Sequence, residues 1–346
     1  MVGLASRRLA DTYHEFIDEW TAAGLDFSRG EQAAGAARSA VARLIGADVS
    51  DIALIPSVSS AAGLVAAQFG PAHLGESIVI GQREYSSNHF PWRQLAGKGY
   101  DVRQVPFRNG GLEPEDVGER VDAGTQLVAF SGVQSATGHR SDIAAISGLA
   151  RETGAIVFVD GSQMVGALPV ARDLQHVDVL VAPDHKFLLN AGRGMGYCYL
   201  SPAVQARFTP VSAGWRAGSV PFDSFFGPGM NLSATASRFD NSISWLAAIG
   251  NQAALSIFDN FGPGAIYAAT TSSPPSSGPR LPTSDGTRLT CPNRTAARSS
   301  ASRSATPDHR GFSAHCPNRE SSARRGTATC GSRSTFTTTK TTSSSS

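Results

Sequence analysis

The apolar positions of the chain follow two different periodicities. Over residues 4–20 and 31–45, apolar side chains recur every three to four positions among polar ones, which predicts two amphipathic helices that end at Gly24 and Gly46. Further along, short apolar runs rich in β-branched residues predict strands: IALI, SIVIG, LVAF, AIVFVD, VDVLVA and MGYCYL. Helical segments lie between several of them. This alternation predicts an α/β fold with a mostly parallel sheet and helices on both faces.

Two of the predicted strands lead into residues with useful chemistry. The run AIVFVD ends on Asp160, and VDVLVA ends shortly before Lys186. Because α/β folds place their sites at strand ends, both residues are candidates for a functional site. Each also has an ordinary interpretation, since a strand-end aspartate often caps a helix or forms a turn, and a lysine is usually solvated.

The chemistry of these two residues favours a pyridine cofactor. The chain has only three lysines among its 30 basic residues, so it uses arginine wherever a positive charge suffices. A desolvated lysine amine can form a Schiff base with an aldehyde, which a guanidinium cannot. The carboxylate of Asp160, at the end of a buried strand, needs a cationic partner, and a protonated pyridine nitrogen is one.

The sequences around these residues, VDGSQMVGALPV and DHKFLLNAGRGMG, resemble the pyridoxal-phosphate signature of class V aminotransferases. This group includes cysteine desulfurases, kynureninases and isopenicillin-N-epimerase-like proteins. The resemblance implies a fold type I enzyme, with a three-layer α/β/α large domain and pyridoxal 5'-phosphate as cofactor. It implies that Lys186 forms the internal aldimine and that Asp160 pairs with the pyridine nitrogen. Gln163 would contact the ring hydroxyl, and His185 would lie near the phosphate.

A serine-rich turn after the run IALIP predicts the start of a helix. Backbone amides at a helix N-terminus favour an anion, although serines there can equally be plain N-caps. In the family this loop cradles the cofactor phosphate, which implies phosphate contacts for Val58, Ser59 and Ser60.

Two further segments are similar to parts of the family that surround the cofactor ring. EYSSNHF resembles a kynureninase stretch with a stacking aromatic, which points to Tyr85, and desulfurases make His89 a weaker candidate. Either side chain could instead be a core aromatic or a hydrogen-bonded loop histidine. Gln134 and Ser135 fall where the family has an asparagine or similar residue beside the ring.

AGWRAGSVPF and SRFDNSISW resemble kynureninase-like members, in which matching residues reach the cofactor partly across a dimer interface. The resemblance therefore implies a homodimer, with Trp215 and Asn241 as additional cofactor-binding candidates. A tryptophan is also commonly buried as packing mass, so Trp215 has a purely structural alternative.

Charge and cysteine content narrow the class of protein. Residues 1–267 carry 19 basic and 25 acidic side chains, so nucleic-acid binding is not expected. Three of the four cysteines lie beyond residue 267, and their spacing predicts neither a metal site nor a disulfide framework. Without a membrane-spanning apolar run or a signal-peptide core, we expect a cytoplasmic protein with no membrane partner.

The resemblance covers residues 4–262 and then stops. We expect a cofactor-binding domain over residues 1–262 and a tail rich in Ser, Thr, Arg and Pro over residues 263–346, whose composition predicts disorder. The family continues instead into a small domain whose arginine binds the substrate carboxylate, and no such domain is recognisable. We hypothesise a frame-shifted reading of this region, which resequencing the gene would test.

The resemblance implies an enzyme that acts on a small amino acid through Lys186, by transamination, β-elimination, desulfuration or epimerisation. Desulfuration needs a cysteine on a mobile loop, whereas Cys198 lies in a predicted strand. A second hypothesis is a truncated, non-catalytic remnant that binds cofactor or dimerises. A nucleotide-dependent oxidoreductase is the weakest hypothesis, because GRGMG precedes a strand and lacks G-x-G-x-x-G spacing. These glycines instead predict a tight turn with close backbone approach.

Overall fold

The computed structural model describes residues 5–190 and 192–272. The described helices are α1 (Arg7–Ala23), α2 (Phe27–Ile45), α3 (Val58–Ala66), α4 (Phe90–Arg93), α5 (Pro114–Gly118), α6 (Ile143–Thr153), α7 (Ala171–Leu174), α8 (Pro202–Arg207) and α9 (Trp245–Ser272). The strands are β1 (Ile52–Ile55), β2 (Ser77–Gly81), β3 (Asp101–Val105), β4 (Thr125–Ser131), β5 (Ile156–Asp160), β6 (Val179–Pro183) and β7 (Gly196–Leu200).

The strands of the described chain form one sheet in the order β1-β7-β6-β5-β4-β2-β3. Strand β7 runs antiparallel to both of its neighbours, and the other adjacent pairs are parallel. The prediction of a mostly parallel α/β sheet is therefore confirmed. Sequence analysis missed β3, because this edge strand is largely polar and only its last residue is buried.

Alternate side chains of each strand enter separate cores on the two faces of the sheet. In β5, Val157 and Val159 pack in the core that α2, α6 and α9 cover. Phe158 packs in the opposite core, with residues of α3, α4 and α8. Burial on both faces explains why this strand is a continuous apolar run instead of an alternating one. The arrangement is the three-layer α/β/α architecture.

Helices α1 and α2 end at the predicted glycines. Gly24 has φ 82° and Gly46 has φ 74°, a region of backbone conformation in which glycine avoids the Cβ penalty of other residues. Helix α2 begins earlier than predicted, at Phe27, because the side chain of Asp26 caps it by accepting a hydrogen bond from the Ser28 N–H at 2.9 Å.

Helix α9 continues past the predicted domain boundary at residue 262. Gly262 (φ 72°, ψ 153°) and Pro263 interrupt the helix, which then runs on to Ser272. Residues 263–272 are thus helical where composition predicted disorder. Residues 273–346 lie outside the described residues, so the disordered tail and its frame-shifted origin stay predictions there.

Among the described helices, none combines the length and the apolar character needed to cross a membrane.

Candidate active site

A cavity of about 250 Å³ lies at the carboxyl ends of the central parallel strands. This is the edge at which α/β sheets bind their ligands. Seven of the predicted candidates line it: Val58, Tyr85, Ser135, Asp160, Gln163, His185 and Lys186. The fold therefore gathers side chains that are widely spaced in the sequence.

Asp160 is the last residue of β5 and is 4% exposed. Its Oδ1 accepts hydrogen bonds from the Ser162 N–H at 2.9 Å and from the Ser162 hydroxyl at 2.5 Å. Burial raises the pKa of Asp160, while the bonds from Ser162 and the positive charge of Lys186 lower it, and burial dominates. The charged carboxylate is therefore only partly compensated, and a further cation in the cavity would stabilise it.

Lys186 lies on the loop that follows β6, half-buried at the cavity wall. Two backbone hydrogen bonds close this loop, from the Asn190 N–H to the Asp184 carbonyl at 3.2 Å and from the Leu189 N–H to the Lys186 carbonyl at 3.3 Å. Leu189 has φ 64°. A non-glycine residue in this region costs about 1–3 kcal/mol, so the surrounding contacts hold the loop in place.

A buried polar network supports the loop from behind. Oδ2 of Asp184 accepts from the side-chain amides of Asn190 at 3.0 Å and Asn251 at 3.1 Å. The Tyr13 hydroxyl in turn donates to Oδ1 of Asn190 at 2.6 Å. Helices α1 and α9 are thereby connected to the segment that carries His185 and Lys186.

The N-terminus of α3 forms another wall of the cavity. Ser57 caps the helix, because its Oγ accepts from the Ser60 N–H at 3.1 Å. Ser57 and Val58 line the cavity, whereas Ser59 and Ser60 turn their hydroxyls to Oγ of Ser57 at 3.0 and 2.8 Å. The unpaired N–H groups and the dipole of a helix start favour an anion at this wall.

The two aromatic candidates lie in different environments. Tyr85 is 56% exposed and lines the cavity, so it is not a core aromatic. His89 is buried away from the cavity wall, with Nδ1 3.2 Å from the carbonyl oxygen of Gly81. His89 therefore matches the alternative interpretation, a hydrogen-bonded loop histidine.

The two glutamine candidates also differ. Gln163 lines the cavity and donates from Nε2 to Oγ of Ser135 at 3.1 Å. Gln134 is buried beside the cavity and donates from Nε2 to Oε1 of Glu84 at 2.7 Å. Of the predicted pair after β4, Ser135 reaches the cavity wall and Gln134 does not.

Trp215 and Asn241 lie outside the cavity of the single chain. The Trp215 ring packs on Phe27 and Phe225, with ring centroids 5.4 and 5.2 Å apart. Nδ2 of Asn241 donates to Oγ of Ser212 at 3.0 Å. The cofactor contacts expected of Trp215 and Asn241 across a dimer interface stay predictions.

Sequence analysis missed several residues of the cavity wall, among them Arg193 and Ser131. Arg193 lines the cavity, is exposed, and forms no ion pair with another residue of the described chain. The sequence analysis predicted a tight turn from the glycines of its segment, GRGMG, and Gly194 does have a positive φ of 107°. Ser131 also lines the cavity. As the last residue of β4 it obeys the same strand-end rule that identified Asp160.

The side chains that meet here fit pyridoxal 5'-phosphate. Lys186 supplies an amine for the aldehyde, and Asp160 is a buried carboxylate that a ring cation would compensate. The α3 N-terminus suits the phosphate, and Tyr85 offers an aromatic face for the ring.

Comparisons with known proteins agree with this fit. The family model for aminotransferase class-V matches residues 8–309 and so extends past the point at which the resemblance ends in the sequence. A probable cysteine desulfurase of Methanothermobacter thermautotrophicus is 32% identical over 179 residues, 51% of this chain and 44% of the relative. The uncharacterized aminotransferase YcbU of Bacillus subtilis is 26% identical over 261 residues, 74% of this chain and 66% of the relative. The match thus spans less than two thirds of each relative.

A solved structure is similar in fold. It is a variant of C-DES with glycine covalently linked to its PLP cofactor, with a TM-score of 0.68 and 19% identity over 78% of this chain and 72% of that one. The family match over most of the chain, the shared fold and the cofactor-compatible cavity lead to one conclusion: this chain belongs to the aminotransferase class-V family, whose cofactor is pyridoxal 5'-phosphate.

Proposed function

We propose that this protein is a pyridoxal-phosphate-dependent enzyme that acts on an amino acid. One observation carries the proposal: Lys186 and Asp160 line the same cavity, close enough for the charge of Lys186 to lower the pKa of Asp160. An amine and a buried carboxylate at adjacent strand ends are the two groups that a pyridine aldehyde needs. The names of the relatives, a cysteine desulfurase and an aminotransferase, support an amino-acid substrate.

Bound pyridoxal phosphate supplies an electron sink that weakens the bonds at the α-carbon of an amino acid. Nζ of Lys186 would hold the cofactor covalently and, once released, move a proton to or from that α-carbon. Asp160 would accept a hydrogen bond from the protonated ring nitrogen and keep its proton in place.

Other side chains of the cavity would orient the cofactor. The first turn of α3, with Ser57 and Val58, would donate N–H groups to the phosphate. Tyr85 would cover one face of the ring, and Gln163 would lie at its polar edge. His185 would turn Nε2 toward the phosphate, since its Nδ1 lies against Asp184, and as an imidazolium it would donate from Nε2 as well.

Arg193 would bind the carboxylate of the substrate. It is exposed at the cavity wall and forms no ion pair within the described chain, so its guanidinium can take a carboxylate in a bidentate geometry. In the family, an arginine of the small domain binds the substrate carboxylate, and that domain was not recognisable in the sequence. With this assignment, Arg193 would bind the carboxylate instead.

Desulfuration of cysteine is a second candidate reaction, favoured by the names of several relatives. Cys198 does not support it: the thiol is fully buried in β7, and burial raises its pKa to about 12. Cys291, Cys316 and Cys330 lie outside the described residues. We therefore leave the reaction among transamination, β-elimination, desulfuration and epimerisation. A non-catalytic remnant is the alternative, since the match spans less than two thirds of the relatives.

We also propose that two copies of this chain associate. An exposed apolar segment supports this, with Phe222 at 50%, Phe226 at 90% and Met230 at 77% exposure. Trp215 packs on Phe225 of the same segment, so a second copy docked there would lie beside it. Sedimentation equilibrium would test this, and a monomer at micromolar concentration would refute it.

The cofactor assignment is tested by absorbance spectroscopy of the protein mixed with pyridoxal phosphate. We expect a visible band that borohydride removes, with a cofactor-derived mass added to the peptide that contains Lys186. Lys186→Ala should abolish both signals. Lys98→Ala is the matched control, because Lys98 is remote from the cavity and donates to the carbonyl of Phe69 at 2.5 Å. An unchanged band in Lys186→Ala would refute the assignment of the anchor.

The reaction is tested with a panel of amino acids and the loaded protein. Sulfide and alanine from cysteine would indicate desulfuration, a keto acid with amino transfer would indicate transamination, and inversion of configuration would indicate epimerisation. Turnover of no amino acid by a protein that binds the cofactor through Lys186 would support the non-catalytic alternative.

A further inference from the structure

A second buried carboxylate lies directly behind the cavity. Glu84 follows β2 and is 8% exposed. Its Oε1 accepts from the Ser131 N–H at 3.1 Å and from Nε2 of Gln134 at 2.7 Å. Its Oε2 accepts from the Ser131 hydroxyl and, at 3.5 Å, from Nδ2 of Asn88. Glu84 was not a candidate in the sequence analysis, and it has no role in the chemistry proposed above.

Ser131 connects Glu84 to the cavity. Ser131 lines the cavity wall, and its hydroxyl is also the hydrogen-bond partner of Oε2 of Glu84. In the β4–β5 pairing Ser131 lies opposite Asp160, and the N–H of the next residue, Gly132, donates to the Asp160 carbonyl at 3.0 Å. The two carboxylates therefore lie on either side of one strand end.

Opposing influences act on the charge of Glu84. Burial raises its pKa to about 7, and the negative charge of Asp160 raises it too, while the hydrogen bonds from Ser131 and Gln134 lower it. The other ionisable groups around this site are His89, held at the Gly81 carbonyl, and Lys186, whose charge acts on Asp160. We therefore expect Glu84 to lose its proton as pH rises through neutrality.

The hydrogen-bond geometry determines which oxygen of Glu84 takes this proton. Both donors to Oε1 are N–H groups, which cannot become acceptors. Oε2 faces the hydroxyl of Ser131, which can donate or accept. A proton on Oε2 can therefore be donated to Oγ of Ser131. The hydroxyl hydrogen of Ser131 must then turn away from Glu84, and the cavity is the open side of this residue.

We infer that Glu84 and Ser131 form a proton-sharing pair in which Glu84 is a positioning residue: when Glu84 is charged it holds the Ser131 hydroxyl, and when Glu84 is neutral that hydroxyl donates into the cavity. The pair itself follows from the contacts of the chain. Its effect on a bound cofactor or substrate rests on the proposed function. An oxygen acceptor of the occupant beside Ser131 would be bound more tightly while Glu84 is protonated.

The pair is tested first without cofactor, by infrared difference spectroscopy of the carboxyl C=O stretch as pH is varied from 5 to 9. We expect a neutral-carboxyl band that disappears near pH 7 and is lost in Glu84→Gln. Glu152→Gln, an exposed site on α6, is the matched control and should retain the band. Absence of a titrating band in the unmodified protein, or its persistence in Glu84→Gln, would overturn the inference.

Ser131→Ala provides an independent test should Glu84→Gln fail to fold. Removing the hydroxyl removes a hydrogen bond that favours the charged form, so the midpoint of the Glu84 titration should rise by about one pH unit. A purely structural role for Ser131 would leave the midpoint where it was, and that result would overturn the pair.

The effect on the cavity is tested by the dissociation constant of pyridoxal phosphate as a function of pH. In the unmodified protein, we expect a step in affinity with the same midpoint as the infrared titration, and no such step in Glu84→Gln. An identical step in Glu84→Gln would overturn the link to the cavity. Loss of cofactor binding with the infrared titration intact would refute the proposed function and leave the pair standing.

Discussion

Asp184 is both the chain neighbour of His185 and its hydrogen-bond partner, with Oδ1 of the carboxylate 3.3 Å from Nδ1 of the imidazole. Asp184 is fully buried, and burial raises its pKa while the hydrogen bond and charge of His185 lower it. The carboxylate fixes the ring orientation through Nδ1, so the opposite nitrogen, Nε2, is the one free to meet a ligand. His185 thus presents one ring nitrogen to the cavity, and the contact that orients the ring lies within the loop after β6.

Asp184→Asn should weaken both cofactor binding and the fold. The amide cannot satisfy His185 and the donors Asn190 and Asn251 together, so we expect roughly a tenfold loss of pyridoxal phosphate affinity, as for outer partners of ligating histidines. The free energy of unfolding should fall by about 1–3 kcal/mol. Fluorescence titration with the cofactor and urea unfolding measure the two quantities.

Asp11→Asn is the control for this prediction, since Asp11 is an exposed aspartate on α1. It should change neither quantity. Equal cofactor affinity in Asp184→Asn and the unmodified protein would show that Asp184 does not orient His185.

Arg193→Ala should weaken the binding of amino acids to the loaded protein. A hydrogen-bonded carboxylate–guanidinium contact contributes about 1.5–3 kcal/mol, so the dissociation constant should rise about 10- to 100-fold. The change of cofactor absorbance on adding substrate measures it. An amine that lacks the carboxylate should bind both proteins equally, and Arg193→Lys should recover part of the affinity.

The exposed Arg207 at the end of α8 is the matched control for loss of a positive charge. Arg207→Ala should leave amino-acid binding unchanged. If Arg193→Ala weakened the decarboxylated amine as much as the amino acid, the guanidinium would be acting on the cofactor or the fold instead of on the substrate carboxylate.

Glu84 should make the fold less stable as pH rises through neutrality. Its pKa is about 7 in the fold against 4.5 for the free group, so the folded state binds the proton more tightly. The stabilisation is complete below pH 4.5 and is lost as pH rises to 7 and beyond. From the pKa difference, this loss amounts to about 3 kcal/mol. Urea unfolding of the unmodified protein and of Glu84→Gln at several pH values measures it.

Burial also raises the pKa values of Asp160, Asp184 and Asp240, so both proteins should lose some further stability as pH rises through the pKa values of these groups. The difference between the two proteins isolates Glu84. Parallel curves for the unmodified protein and Glu84→Gln would contradict a neutral carboxyl at this position.

The strand-end rule explains why Asp160 and Lys186 were predictable from the sequence. Each follows a continuous apolar run, and burial on both faces of a parallel sheet makes such runs visible without knowledge of the strand order. The ends of α1 and α2 were predictable for a similar local reason, since Gly24 and Gly46 adopt positive φ values.

Glu84 could not be found in this way, because its partners are set by the order of the strands. Its main partner, Ser131, is 47 residues away in the chain, and they meet only because β2 pairs with β4. The apolar pattern and the residue propensities of a sequence do not reveal the order of the strands in a sheet. Sequence analysis also named Ser59 and Ser60, not Ser57, in the turn before α3. Which of these serines faces the cavity depends on the residue at which the helix begins, and the helix begins directly after Ser57.

Breaking the buried ion pair between α2 and the segment before α9 should lower the free energy of unfolding far more than breaking an exposed pair on the same helix. Asp240 is 1% exposed, and its oxygens accept from Arg38 at 2.5 and 3.3 Å and from the Leu54 N–H at 2.8 Å. Asp240→Ala removes the carboxylate that pairs with the largely buried guanidinium of Arg38, which then keeps only the Ile52 carbonyl at 2.8 Å, and it leaves the Leu54 N–H without its side-chain acceptor. The free energy of unfolding should therefore fall by about 3–5 kcal/mol. Urea unfolding measures this change.

Asp259→Ala is the matched comparison, because Asp259 pairs with Arg43 of α2 at 2.9 Å in an exposed position. Solvent screens that pair, and its removal should change the free energy of unfolding by less than about 1 kcal/mol. The double variant Arg38→Met with Asp240→Leu should lose less than Asp240→Ala, since no buried charge is then left unpaired. Equal losses for Asp240→Ala and Asp259→Ala would mean that water reaches Arg38 once its partner is removed.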